Sequence, residues 1–242
     1  HTLNLSYNSL DYNDLDINLY NIDSLSVLNL SHNSISDLYS PWSNMTNLIS
    51  LDLSYNQFYN IPYEVHSMSA LEYYNISFND INNSDMTSLN DLDNLQNLKT
   101  LNLGGQNSSL STLPDSLINI TSLEKLFIHD NDYLEIPDIV FNMQNLSVLN
   151  MDSNYIFNLP DSIAQLPLDS LIISNNILYC FDGQQDSIPE WVNSLDFLYG
   201  ETEQNCSNAG CTDEEAFNYN SNVMIDDGSC IYCNDLEEYI EI

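Results

Sequence analysis

Arginine is missing from this chain and lysine occurs only twice, against 36 Asp and Glu, so the formal net charge is −34. Charged residues make up 16% of the sequence, below the roughly one quarter of an ordinary globular chain. The acidity therefore comes mainly from missing cations. Two cations cannot neutralise a phosphate backbone by counterion release or hold an anionic bilayer surface, which argues against nucleic-acid and membrane-surface binding. Salt bridges must be scarce as well, leaving apolar burial and hydrogen bonds to hold the fold. Long apolar runs are also absent, so no segment is expected to insert in a membrane. Catalytic patterns are lacking too: His1, His32, His66 and His129 stand beside no nucleophile pattern, and there is no HExxH, phosphate loop or dinucleotide fingerprint. The sequence points away from an enzyme. It opens at His1 with neither Met nor a signal peptide, as a processed or partial chain would.

What is present is a repeat. Hydrophobic residues form 43% of the chain, ample for a core of one or two domains. Asn and Leu occur 36 and 35 times and recur together. The phrase L-x-L-S-x-N runs from Leu3 to Asn8, Leu28 to Asn33 and Leu51 to Asn56, with variants at Tyr74 to Asn79, Leu101 to Gln106, Leu126 to Asn131, Leu149 to Asn154 and Leu171 to Asn176. Leading anchors at Leu25, Leu48, Leu71, Leu98, Leu123, Leu146 and Leu168 are spaced by 23, 23, 27, 25, 23 and 22 residues. Alternating Leu on a short strand points into one core, and the following Asn can turn inward to bond the backbone of neighbouring coils. Gln106, beside Gly104-Gly105, is expected to break that ladder with a local bulge. Between strands, Phe58-x-x-Ile61-Pro62, Leu110-x-x-Leu113-Pro114, Tyr133-x-x-Ile136-Pro137 and Ile156-x-x-Leu159-Pro160 predict short helical or 3-10 turns, because Pro suits a first turn. Extrapolated backward, the first anchor falls one residue before His1, so the chain is expected to begin inside a repeat, with its N-terminal cap missing.

This pattern resembles the leucine-rich repeat, L-x-x-L-x-L-x-x-N-x-L, over residues 1–179 in about eight copies. The resemblance implies an α/β fold: a right-handed solenoid with short parallel strands on a concave face and helical or 3-10 turns on the convex face. Residues 180–206, with Trp191 between two cysteines, resemble the C-terminal cap of secreted bacterial leucine-rich repeat proteins, especially those of Bacteroidota, which implies a Cys180–Cys206 disulfide. Residues 207–242 contain Gly210-Cys211-Thr212-Asp213 and Asp226-Asp227-Gly228-Ser229-Cys230. They resemble a small cysteine-bracketed module of secreted proteins of marine Bacteroidota and some large algal viruses, implying a Cys211–Cys230 pair and leaving Cys233 unpaired. Cys206 with Cys233 is the competing connectivity, and Glu214 stands where that module usually has Pro.

Several positions are candidates for binding. Asn218, Asn220, Asn222, Asp226 and Asp227 echo the oxygen-ligand spacing of a calcium loop, the alternative being an Asx-turn network. Calcium is the one cofactor suggested. The concave columns read Asn4, Asn29, Asp52, Asn75, Asn102, Phe127, Asn150, Ile172 and Tyr7, His32, Tyr55, Phe78, Gly105, Asp130. Their aromatic members could engage a protein or glycan, or simply stack on their copies. Lys99 and Lys125, in adjacent copies, are expected close together on the strand face, neutralising neighbours such as Glu124 and Asp152 or serving as a hot spot. Nine N-x-S/T sequons occur, several forced by the repeat itself, and Asp-Ser-aliphatic motifs at Ser24, Ser116, Ser162, Ser170 and Ser187 match a bacterial O-glycosylation pattern. The leading expectation is a non-catalytic extracellular recognition or adhesion module binding protein or glycan through the concave face. A self-associating protomer of a filament or surface layer is the alternative, and a targeting or spacer region of a larger secreted protein a third.

Overall fold

The computed structural model describes residues 1–15, 21–38, 40–83, 92, 94–107, 110–156, 160–176, 197–199, 209–216, 219–221, 225–226 and 230. Backbone contacts divide the chain into one unit of 1–176 with 189–200 and another of 177–188 with 201–242. In the first unit nine strands form one parallel sheet in sequence order: β1 Thr2–Asn4, β2 Val27–Asn29, β3 Ser50–Asp52, β4 Tyr73–Asn75, β5 Thr100–Asn102, β6 Lys125–Phe127, β7 Val148–Asn150, β8 Ser170–Ile172 and β9 Phe197–Tyr199. The ninth lies in the segment read as the cap.

The register has no slip from Leu3 through Leu28, Leu51, Tyr74, Leu101, Leu126, Leu149 and Leu171 to Leu198. Strand side chains alternate, so this central residue points inward and is fully buried from β2 to β8, while its two neighbours face outward. Each such Leu contributes about 1.5–3 kcal/mol of burial. Tyr74 takes the same place, and its hydroxyl, like Trp42 Nε1, finds no hydrogen-bond partner among the described residues. Burial holds the Tyr74 phenol well above its ordinary pKa.

On the side away from the sheet the chain makes single 3-10 turns, Ser40–Asn44, Tyr63–Ser67, Asp115–Asn119, Asp138–Asn142 and Asp161–Gln165. Pro62, Pro114, Pro137 and Pro160 cap the last four, and their carbonyls accept the N–H of Val65, Leu117, Val140 and Ile163 at 3.1, 3.2, 2.9 and 3.1 Å. Pro serves here because a first-turn N–H would go unused. Met68, Ile120, Met143 and Leu166 follow the turns and are buried, tying them to the core.

The amide ladder is continuous. Asn56 donates from Nδ2 to the carbonyls of Leu30, Leu53 and Ser54 at 3.0, 3.0 and 3.1 Å, and its Oδ1 accepts Ile35 N–H at 3.0 Å. Asn79, Asn154 and Asn176 repeat the arrangement. Gln106 does not break it, contrary to expectation. Its Nε2 reaches Ile76 O, Leu103 O and Gly104 O at 3.0, 3.2 and 3.4 Å, and its Oε1 accepts Ile81 N–H at 3.2 Å. Its bonds to Leu103, Gly104 and Ile81 are slightly longer than the matching bonds of Asn56, and β5 stays paired on both sides. A second amide series, unforeseen, runs just before the leading anchors. Asn47, Asn97 and Asn145 donate to the carbonyls of Asp23, Ser69 and Thr121 in the preceding coil at 3.2, 2.8 and 2.7 Å.

In the second unit Cys211 and Cys230 form a disulfide, and β10 Ala209–Gly210 pairs in parallel with β11 Ile225–Asp226. Asp213 Oδ1 accepts Glu215 N–H at 2.9 Å, and Asn220 N–H donates to Cys211 O at 3.0 Å. Cys180, Cys206, Cys233, Trp191, Asn218, Asn222 and Asp227 lie outside the described residues. No helix among the described residues is long and apolar enough to cross a membrane, and none of their His, Cys, Asp and Glu side chains converge in a group of three suited to a metal ion.

Candidate functional site

The outward face of the sheet is built from three columns, the residue before the buried centre of each strand, the one after it, and the next outward residue beyond. The middle column is structural. Asn4, Asn29, Asp52, Asn75, Asn102 and Asn150 each accept, through Oδ1, the backbone N–H two residues on, at 2.8 to 3.1 Å. These Asx turns end the strands. Asp52 also takes the Ser54 hydroxyl at 2.6 Å.

The turn then enters left-handed backbone. Tyr7, His32, Tyr55, Phe78, Gly105, Asp130, Ser153 and Asn175 all have φ between 51° and 64°. Bulky side chains rarely adopt this conformation, which costs about 1–3 kcal/mol for a non-Gly residue. Here they stack: Tyr7 on His32 at 4.0 Å, His32 on Tyr55 at 4.1 Å and Tyr55 on Phe78 at 4.3 Å, with planes within 11°. Each such contact returns about 0.5–1.5 kcal/mol. The predicted aromatic column thus sits at the strand-end turn with its inner ring faces occupied by one another. It stops at Gly105. A side chain there would collide with the Phe78 ring, and one at Gly104 would collide with His129.

β6 departs from the columns in all its outward positions. Lys125 stands where the other strands carry Thr2, Val27, Ser50, Tyr73, Thr100, Val148 and Ser170, Phe127 replaces the Asx-turn residue, and His129 stands where the other coils carry Ser, Gly104 or Asp152. Phe127 is half-buried and Lys125 exposed, with no ion-pair partner among the described residues. His129 lies over Gly104, 6.0 Å from the Phe78 ring, and its Nδ1 is 2.7 Å from Asp130 Oδ2. Beside it, between the turns that follow β6, β7 and β8, is an open depression of about 400 Å³ lined by Asp130, Asp132, Ser153, Tyr155 and Asn175.

The two lysines differ in the neighbours they face. Lys99 precedes β5, and its Nζ lies 2.8 Å from Glu72 Oε2 of the previous coil, a bond that raises its pKa above the ordinary value, with a smaller contribution from Glu124 of the next. Lys125 is one position further along its coil, on the strand itself. Two strands away in the column of Lys125, Tyr73 stands on β4, its phenol raised by partial burial and by the charge of Asp52.

These features define a leucine-rich repeat solenoid. Residues 23–81 match the family described as Leucine rich repeat, and the same register continues to Asn176. Over 116 residues the chain is 29% identical to Receptor-like protein 39 of Arabidopsis thaliana, covering 47% of this chain and 13% of that one. Among solved structures it is similar to an internalin from Listeria monocytogenes, with a TM-score of 0.59 at 24% identity over 93% of this chain and 58% of the other. It is also similar to the ectodomain of the Arabidopsis receptor kinase HAESA in complex with an IDA peptide hormone, with a TM-score of 0.63 at 27% identity over 85% of this chain and 36% of the other. The chain therefore spans less than two thirds of the length of each of these proteins.

Proposed function

We propose that the chain is a non-catalytic extracellular module that binds a protein partner on the outward face of its sheet, centred on β6. The observation that carries this reading is the simultaneous loss of all three repeat residues at Lys125, Phe127 and His129. Repeat residues are dictated by coil-to-coil packing, so a strand that abandons them together is free of that duty and displays a cation and a half-exposed ring instead. Aromatic anchors beside charged groups concentrate binding energy in protein interfaces. The HAESA ectodomain, solved with a peptide hormone, supports a peptide or protein as partner. A glycan is less well served, because sugars stack on ring faces and those between Tyr7 and Phe78 are already occupied. The Cys211–Cys230 disulfide supports an oxidising exterior.

Affinity capture from the surface proteins of the source cells tests the reading. The native chain should retain a defined protein, and a triple variant restoring the repeat residues (Lys125→Thr, Phe127→Asn, His129→Ser) should lose it while melting at or above the native temperature. Equal capture by the two chains would overturn it.

A further inference from the structure

The sequons fall into distinct structural classes. Asn4, Asn29 and Asn75 are Asx-turn residues, and N-x-S arises there because the turn joins an amide acceptor to the N–H of a serine two residues on. Asn75 is 8% exposed, leaving a sugar on its Nδ2 no way out. Asn107 and Asn145 spend Nδ2 on Asp80 Oδ1 and Thr121 O at 3.1 and 2.7 Å.

Asn44 and Asn119 differ from all of these. Each is the last residue of a 3-10 turn, Ser40–Asn44 and Asp115–Asn119, and each is exposed. No hydrogen bond among the described residues engages either side-chain amide. The residue after each, Met45 and Ile120, is buried at 6% and 3% exposure, while Thr46 and Thr121 are exposed. Both tripeptides are thus pinned at the middle residue, with the amide and the threonine in solvent, on the turn side and away from the outward sheet face. Asn142 holds the same place in Asp138–Asn142 and is equally exposed, but Gln144 follows where the hydroxyl would be.

We propose that Asn44 and Asn119 are N-glycosylation sites. In the transfer, Nδ2 forms a bond to C1 of a lipid-diphosphate-linked oligosaccharide. The C1–O bond breaks, the lipid diphosphate leaves with the bonding electrons, and the amide proton passes to a base of the transferase. The inference rests on the extracellular reading above, because donor and transferase are met on the export path. A glycan on the turn side adds hydrophilic bulk and leaves β6 clear.

The test is tandem mass spectrometry of intact peptides from the full chain isolated from its source, cut at Asp and Glu, since two lysines give trypsin little to cleave. The expected result is carbohydrate mass on the peptides bearing Asn44 and Asn119, and none at Asn75 or Asn142. Bare Asn44 and Asn119, or carbohydrate on Asn75, would overturn the assignment. The unreduced digest separates the two claims. Bare asparagines with a Cys211–Cys230 crosslink defeat the glycan alone, whereas bare asparagines with free thiols defeat the extracellular reading as well.

Discussion

From β1 to β4 the left-handed turn position holds Tyr7, His32, Tyr55 and Phe78, and from β5 to β8 it holds Gly105, Asp130, Ser153 and Asn175 in the same backbone. The first region meets the conformational cost by stacking rings. At three of its four positions the second meets it with residues that tolerate the conformation, since Gly has no Cβ and Asp and Asn visit it readily. The consequence is spatial. Rings fill the turn edge in the first region, whereas the second leaves the depression beside Tyr155 and the open row of Lys125, Phe127 and His129. One region looks after its own packing, and the other has surface to spare for a partner.

The largest expected effect is common to both regions and belongs to the ladder. Asn79→Ala leaves the Phe58 N–H without its partner in the core and removes one of the two hydrogen bonds accepted by each of the Leu53, Ile76 and Ser77 carbonyls, which keep Asn56 Nδ2, Gln106 Nε2 and Tyr55 N–H. It should cost about 3 kcal/mol or more in urea unfolding, from about 1–3 kcal/mol for the N–H left unsatisfied and about 0.5–1.5 kcal/mol for each of the three other bonds lost. Gln106→Asn in the second region should change stability by less than about 1 kcal/mol, because the shorter amide is what the other coils carry.

The boundary between the regions comes next. Gly105→Ala combines a strained φ of 64° with a collision against Phe78, and should lower stability by about 1–3 kcal/mol. Within the aromatic stack, Tyr55→Gly loses two ring contacts but relieves the strain at φ 54°. The two terms should cancel to within about 1 kcal/mol. Tyr55→Val loses the rings and keeps the strain, and should be clearly worse in the same melting series.

The smallest effect is a pH dependence. Glu64, in the turn Tyr63–Ser67, is buried, and its carboxyl is raised above the ordinary value by burial first and by the charge of Asp37 second. A raised folded pKa means the folded state holds the proton more tightly. Its contribution is full below the unfolded carboxyl value and is lost as pH rises through the folded one. Glu64→Gln should therefore stabilise the chain near neutral pH, and its advantage over the native chain should shrink as pH falls into the carboxylate range. A constant difference across that range would contradict the burial argument.

Much of the fold is legible in the sequence because each coil must bury the same residues: the Leu register, the Asn ladder and the proline-led turns all follow from periodicity. Gln106 was misjudged because a longer amide looked like a break, yet a side-chain amide needs only reach, not identity. The left-handed turn went unread because aromatics occupy it in the first four coils. The clue was in the later copies, where Gly105, Asp130 and Asn175, residues suited to positive φ, hold the same place. The Asx turns of Asn4, Asn29 and Asn75 were hidden for a related reason, since an outward-facing amide reads equally as a binding group or as a cap. The site itself showed as single residues, Lys125 and Phe127, but the β6 row emerged only once the structure put His129 on the same outward series.

The comparison between the regions is tested most directly by measuring the affinity of the captured partner for two variants side by side. One is the β6 triple, Lys125→Thr with Phe127→Asn and His129→Ser, and the other is His32→Gly with Tyr55→Gly. The account predicts at least a tenfold loss for the first, about 1.4 kcal/mol or more, and less than a threefold change for the second. A large loss in the stacked-ring variant with the β6 triple unaffected would place the binding surface in the wrong region and contradict it.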